Sequence, residues 1–259
     1  MADDLVRFER DGRGVVWITL ARPERRNAFD AAIIAGVVAA LGKVDLSARA
    51  VVLAAEGDAF CAGADLGWMK SMVDYGLEQN MADSRALAEM FRALDGLPMP
   101  LLARVQGPAI GGGAGLVAMA DIAVASTEAV FGFSEVRLGI IPAVISPYVV
   151  RKIGVGYATA LFVTGMRFDA ARAQQIGLVE AIEAPDELDA KLELYIDAVV
   201  SGGPHAVNAA KRIVREVAGR PIDEVRDLTI ERIAALRVSA EGQEGMRAFL
   251  ERRPARWDT

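Results

Sequence analysis

Ala59-Phe60-Cys61-Ala62-Gly63-Ala64-Asp65-Leu66 and, further along, Gly107-Pro108-Ala109-Ile110-Gly111-Gly112-Gly113-Ala114-Gly115-Leu116 decide how this chain is read. Each follows an apolar, strand-like run, Ala50 to Ala55 and Leu101 to Val105, and each leads into a helical pattern. A strand-to-helix loop leaves backbone N–H groups unpaired where the helix begins, aimed at whatever sits above them. Two such loops converging on one point would grip negative charge developing on an oxygen, as an oxyanion hole does. Glycine at 111 to 113 also removes side chains that would bar a ligand from the backbone. Taken singly, either loop reads as a tight turn needing φ > 0. As an ordered pair, they read as a site.

Outward from these loops the alternation continues. Val15 to Leu20 and Ile122 to Ala125 are further β-rich runs, separated by helical patterns, which predicts an α/β layered core. Asp30 is placed to cap a helix whose Ile33, Ile34, Val37, Val38 and Leu41 form one apolar face. After Asp169 strand signals nearly vanish, and alanine-rich helical stretches follow, with breaks near Asp186, Gly202-Gly203-Pro204 and Arg220-Pro221. No internal repeat or low-complexity linker interrupts them.

The chain has 259 residues, 53% of them hydrophobic, enough for a substantial core. Net charge is −6, with 29 basic and 35 acidic residues interspersed, which argues against a nucleic-acid partner. Cys61 is the single cysteine, so no intramolecular disulfide framework exists and a reducing compartment fits. The acidic start Met1-Ala2-Asp3-Asp4 is unlike a targeting peptide. Ile110 to Ala125 is apolar but glycine-rich, broken by Asp121 and too short to span a bilayer. The expectation is a soluble, cytoplasmic protein with no membrane partner. With His205 the only histidine, no usual zinc ligand set or Ser-His-Asp triad can be assembled, so no metal is expected. His205 follows Gly-Gly-Pro and reads as a surface residue at a helix start. Gly111-Gly112-Gly113 lacks the G-x-G-x-x-G spacing of a dinucleotide site, so no nicotinamide is implied.

A candidate acid follows the loops: Glu135, in Phe131-Gly132-Phe133-Ser134-Glu135-Val136-Arg137-Leu138-Gly139-Ile140-Ile141-Pro142. With these segments in this order, the chain resembles the crotonase (enoyl-CoA hydratase/isomerase) superfamily over nearly its whole length. The resemblance begins at Ala21-Arg22-Pro23-Glu24-Arg25-Arg26-Asn27-Ala28 and passes through Leu161-Phe162-Val163-Thr164-Gly165 and Ile176-Gly177-Leu178-Val179. It closes at Glu244-Gly245-Met246-Arg247-Ala248-Phe249-Leu250-Glu251-Arg252-Arg253. It implies an α/β fold of repeated ββα units, with a spiral core over 1–200 carrying the active site. A helical region over 201–259 would serve trimer assembly, giving a homotrimer or a hexamer.

The resemblance also assigns roles. The amides of Ala64 and Gly112 would hold the oxygen of an acyl-CoA thioester, and Glu135 would move a proton at the α carbon. Arg25 and Arg26, with Arg22 in the same basic cluster, and Ala28, Ala62, Asp65 and Leu66 would lie along the CoA moiety; guanidinium groups suit phosphate oxygens. Trp257, beside Arg252 and Arg253, would close over CoA, in some members that of a neighbouring subunit. CoA enters as part of the substrate, and no separate cofactor is implied. Cys61 reads as a small buried apolar residue. Trp68, Met69, Met72, Met81 and Met90 fall in a helical stretch that reads equally well as acyl-pocket lining or as adaptable core.

One departure stands out. Two-glutamate hydratases of the superfamily carry their first acid where this chain has Gly115. Single-glutamate members include Δ3,Δ2-enoyl-CoA isomerases, in which one carboxylate shuttles a proton without activating water. The stretches Asp65-Leu66-Gly67-Trp68-Met69-Lys70-Ser71-Met72 and Ile141-Pro142-Ala143-Val144-Ile145-Ser146-Pro147-Tyr148-Val149-Val150 resemble bacterial methylglutaconyl-CoA hydratases, which also tend to carry glycine there. Hydration of a branched or carboxylated enoyl-CoA, as in leucine or isoprenoid-acid breakdown, therefore ranks first. Isomerisation ranks second and non-catalytic acyl-CoA binding third.

Overall fold

The apolar run at Ala50–Ala55 becomes a central strand, buried at all six positions. A strand apolar on both faces needs cover on both, which is the rule for parallel sheets. A computed structural model describes residues 5–257 and shows that cover. The main sheet contains β1 (Val6–Arg10), β2 (Val15–Leu20), β3 (Ala50–Ala55), β4 (Leu101–Val105), β6 (Ile122–Ser126) and β9 (Ala181–Glu183), in that spatial order. All neighbouring pairs are parallel except β1 with β2. A second sheet holds β5 (Ala109–Ile110), β7 (Val130–Gly132) and β8 (Arg167–Asp169).

Alternation along the strands sorts their side chains between two apolar cores. Val51 and Leu53 of β3, with Leu101 and Ala103 of β4, face the larger core under α1 (Ala31–Gly42) and α3 (Leu77–Asp95). Ala50, Val52 and Leu102 face the other side, against Leu188, Leu192 and Ile196 of α7 (Leu188–Val200). Short α2 (Leu66–Met72) precedes α3, and α4 (Gly112–Met119) lies inside the larger core, buried from Gly113 to Met119. Helices α5 (Ser146–Thr164) and α6 (Ala170–Gln175) complete the part before α7.

As expected, Asp30 caps α1, its carboxylate accepting from the Ile33 amide at 2.9 Å. Of the expected α1 face, Ile33, Ile34, Val37 and Leu41 are buried but Val38 is 40% exposed. At about 100° per residue, Val38 falls about 100° from the centre of the stripe, and Ala40 takes its place in the core. The late strand β9 is only three residues long, too short for a sequence signal.

Helices α8 (Pro204–Val217), α9 (Ile222–Val238) and α10 (Ala240–Glu251) pack on one another after residue 203 and bury few side chains. Ile222, Val238, Phe249 and Leu250 stand largely exposed on them. Lys211 of α8 ties this layer to the core: its ammonium lies 2.6 Å from Asp121 Oδ2 and donates to Met99 O at 2.8 Å. Asp121 also accepts from the Leu101 amide at 2.8 Å, joining the end of α4 to the start of β4. Among the described residues no helix is long and apolar enough to cross a membrane.

Candidate active site

Strands β3 and β4 are parallel neighbours, with Leu53 opposite Ala103, so the loops that follow them leave the same edge of the sheet. That edge, beyond the carboxyl ends of parallel strands, is where open α/β sheets present ligand sites. The two glycine loops are also bonded to each other. The Cys61 amide donates to Pro108 O at 3.0 Å, and the Ile110 amide donates back to Cys61 O at 2.9 Å. Gln106 Nε2 reaches across to Ala55 O at 2.9 Å and Gly57 O at 3.0 Å. Gly113 makes the approach possible, because a Cβ there would lie 2.4 Å from Cys61 O. Gly113→Ala is therefore expected to part the loops, losing most activity together with about 2 kcal/mol or more of stability. A chemical-denaturation curve and a turnover assay on the same preparation check both effects.

This stapling fixes which amides are spent and which remain. Phe29 N donates to Gly63 O at 2.6 Å and Asp65 N to Phe29 O at 2.7 Å, which turns the Ala64 peptide between them the other way. Gly111 N donates to Gly132 O at 2.8 Å, whereas Gly112, the first residue of α4, has no partner within its helix. The N–H groups of Ala64 and Gly112 have no acceptor among the described residues, and both residues line one cleft of about 1350 Å³.

Glu135 lines the same cleft from a 3-10 turn, Glu135–Leu138, that follows β7. Its Oε1 lies 3.1 Å from where a Cβ on Gly111 would sit, and Gly111 adopts φ +54°, so this contact and this backbone both call for glycine. Its Oε2 is buried with no hydrogen-bond partner among the described residues. Burial pushes the Glu135 carboxyl above the ordinary carboxylate range, and its own backbone N–H opposes that more weakly. A carboxyl that binds its proton more tightly than an ordinary one, in the same cleft as two unspent amides, suits proton transfer next to a developing oxyanion.

Position 115 is closed as well as empty of an acid. A Cβ on Gly115 would lie 2.5 Å from Ile145 Cγ2 and 3.2 Å from Phe91 Cζ, both side chains buried. Apolar packing fills the place that a second carboxylate would need.

A family model described as Enoyl-CoA hydratase/isomerase matches residues 10–259. The chain belongs to that family. Its relatives include the short-chain-enoyl-CoA hydratase of Clostridium acetobutylicum, 31% identical over 95% of this chain and 94% of the relative. An enoyl-CoA hydratase of Mycobacterium tuberculosis is 35% identical, over 95% of this chain and 93% of the relative. Among solved structures, the enoyl-CoA hydratase from Shewanella pealeana superposes with a TM-score of 0.92 at 40% identity, covering 98% of this chain and 96% of that one. A Legionella pneumophila structure assigned to the enoyl-CoA hydratase/isomerases (crotonases) reaches 0.94 at 42% identity, covering 98% and 99%. The fold is that of the crotonases.

Within this crotonase the other anticipated residues divide. Arg25, Arg26, Ala28, Ala62, Asp65 and Leu66 all border the cleft, and neither arginine carries an ion pair among the described residues. Arg22 departs from the expected basic cluster. Only 8% exposed, it donates to Asp30 and to Ala28 O and lies 3.5 Å from Asp65, so its charge is spent inside the fold. Trp257 does not border the cleft of its own chain; its indole donates to Ser201 O at 3.1 Å and its ring covers Gly245. Trp68, Met69 and Met72 line the cleft, whereas Met90 is fully buried in the core and Met81 faces outward. Cys61 is fully buried, which pushes its thiol up to about 12.

Two parts of the site carried no sequence signal. Asn27 is fully buried and donates to Glu56 O at 2.8 Å and Ala59 O at 2.9 Å, holding the first loop from below. Asn80, Asp83 and Ser84 give one wall of the cleft a polar stripe on α3. Their three- and four-residue spacing is visible in the sequence, but which way α3 faces is not.

Proposed function

We propose that the protein adds water across the α,β-double bond of an enoyl-CoA thioester. The observation that carries this reading is the convergence of the unspent Ala64 and Gly112 amides with the Glu135 carboxyl in one cleft. The amides hold the thioester oxygen, where negative charge collects as the β carbon is attacked. Protonated Glu135 then delivers its proton to the α carbon, giving the 3-hydroxyacyl thioester. Arg25 and Arg26, at the mouth beside Ala28, Ala62, Asp65 and Leu66, offer unpaired guanidinium groups to the CoA phosphates.

The acyl group we favour is branched and carboxylated, of the methylglutaconyl type. Arg167 of β8 borders the cleft without an ion pair among the described residues, and provides the cation such an acyl carboxylate needs. The exposed apolar side chains of α9 and α10 support a homotrimer or hexamer, in which Trp257, away from its own chain's cleft, closes over the CoA of a neighbouring subunit. A cytoplasmic setting, with leucine or isoprenoid-acid breakdown as the context, goes with this substrate.

The closed space at Gly115 favours one competing reading, Δ3,Δ2-isomerisation, because a lone carboxylate can move a proton between α and γ carbons without water. Product analysis in 18O-labelled water separates the two. Crotonyl-CoA, 3-methylglutaconyl-CoA and a 3-enoyl-CoA are supplied in parallel. Labelled 3-hydroxyacyl-CoA, formed fastest from 3-methylglutaconyl-CoA, is the expected result. A shifted double bond without label would instead establish isomerisation.

A further inference from the structure

Hydration needs a group to take a proton from the attacking water as well as one to protonate the α carbon. No side chain at 115 can be the first, since Ile145 and Phe91 occupy that space. Four carboxylates border the cleft: Glu24, Asp65, Asp83 and Glu135. Asp65 is committed to the fold, accepting from the Gly67 and Trp68 amides at 2.8 and 3.2 Å and facing the Arg22 guanidinium. Glu24 sits on the exposed 3-10 turn Pro23–Arg25, next to the arginines at the mouth. Glu135 works at the α carbon. Asp83 is left.

Asp83 lies on α3, half-buried, in the stripe Asn80, Asp83, Ser84 and Leu87 that faces the cleft. The indole Nε1 of Trp68 donates to its Oδ2 at 3.2 Å, while Oδ1 has no partner among the described residues. No cation pairs with it there, so its charge is not neutralised. Trp68 is the third residue of α2, the helix that begins two residues after the oxyanion donor Ala64. Met69, Met72 and Leu87 make the wall beside this stripe apolar, so polar groups for a water are confined to Asn80, Asp83 and Ser84, of which only Asp83 is a carboxylate that can take up a proton.

We propose that Asp83 orients and deprotonates the water that attacks the β carbon, working from α3 where other hydratases work from α4. The proposal rests on the hydration reading. The water oxygen bonds to the β carbon as its proton passes to Asp83. The π electrons move to the thioester oxygen, held by Ala64 and Gly112. Glu135 protonates the α carbon, and the proton on Asp83 returns through solvent to Glu135. One water is consumed and neither acid is changed. Trp68 is a positioning residue that keeps the carboxylate aimed.

Two reactions separate this role from a structural one. The first is 18O incorporation into crotonyl-CoA. The second is deuterium exchange at the α carbon of butyryl-CoA in 2H2O, which needs Glu135 and the amides but no attacking water. Asp83→Asn is expected to lower the hydration kcat by about 100-fold or more while α-exchange and KM stay within about threefold of wild type. Trp68→Phe should lower the hydration kcat by about tenfold, again with α-exchange and KM retained. Hydration by Asp83→Asn at the wild-type rate, or equal loss of both reactions, overturns the proposal. Wild-type enzyme that exchanges deuterium but takes up no 18O overturns the hydration reading itself, and the role of Asp83 with it.

Discussion

Glu135→Gln is expected to lose about 10²–10⁴-fold in kcat while losing no stability. The two halves of that result have one cause. Glu135 Oε2 is buried without a partner, and burial raises the carboxyl above its ordinary range. A carboxyl whose folded value exceeds its unfolded value binds its proton more tightly in the native state. Wild-type stability is therefore full in acid, below the unfolded value. It falls as the pH rises through the window between the unfolded and the raised folded value, and then stays at the lower level. Glutamine has no charge to bury, so the variant escapes that loss. At neutral pH it should melt at or above the wild-type temperature, and in acid the two should converge. Acyl-CoA affinity, which the proposed binding mode assigns to Arg25, Arg26 and the two amides, should be retained. Thermal melts at two pH values with a turnover assay check the set. A variant that keeps its turnover, or that melts well below wild type at neutral pH, would remove Glu135 from its assigned place.

The second large effect is at Gly115. Gly115→Glu restores the residue type that two-glutamate relatives carry, yet it is expected to abolish activity and unfold readily. The new Cβ would meet Ile145 Cγ2 at 2.5 Å, and the carboxyl beyond it would be driven among Phe91 and Ile145 with no partner. Overpacking and an unpaired buried carboxyl together cost about 3 kcal/mol or more. Adding Ile145→Ala opens the space, so the double variant should regain part of that stability. The shortfall from additivity measures the clash directly. Denaturant unfolding of the two single variants and the double variant supplies the numbers. Gly115→Glu as stable as wild type would show that the pocket is open and that the loss of the acid has a different cause.

These outcomes trace back to features of unequal visibility in the sequence. The glycine loops and the strands before them could be placed because each is a local pattern, an apolar run or a cluster of glycines. The Asp30 cap is equally local. Glu135, by contrast, was singled out by the segment that resembles the crotonases. Arg22 misled, because three arginines within five positions look alike in a sequence. One of them folds inward to Asp30, Ala28 and Asp65, while Arg25 and Arg26 remain at the mouth. The methionines divided for a similar reason, since a helical period says that side chains share a face but not what that face meets.

The sequence by itself determined the layered α/β class and the two glycine loops, and its resemblance to the crotonases pointed to Glu135 and to the absence of an acid at 115. The class and the loops follow from residue type and near-neighbour spacing; the reading of 115 and 135 follows from the resemblance. Tertiary structure decided how they act together. Only the parallel pairing of β3 with β4 brings the two loops to one edge, and only the Cys61–Ala109 bridge locks their amides in place. Whether Gly115 left room for a water or for nothing depended on Ile145 and Phe91, which lie 30 and 24 positions away in the chain. Asp83 gained its place opposite Trp68 in the same way. Contacts between residues distant in sequence are set by how the layers pack, and no local pattern records them.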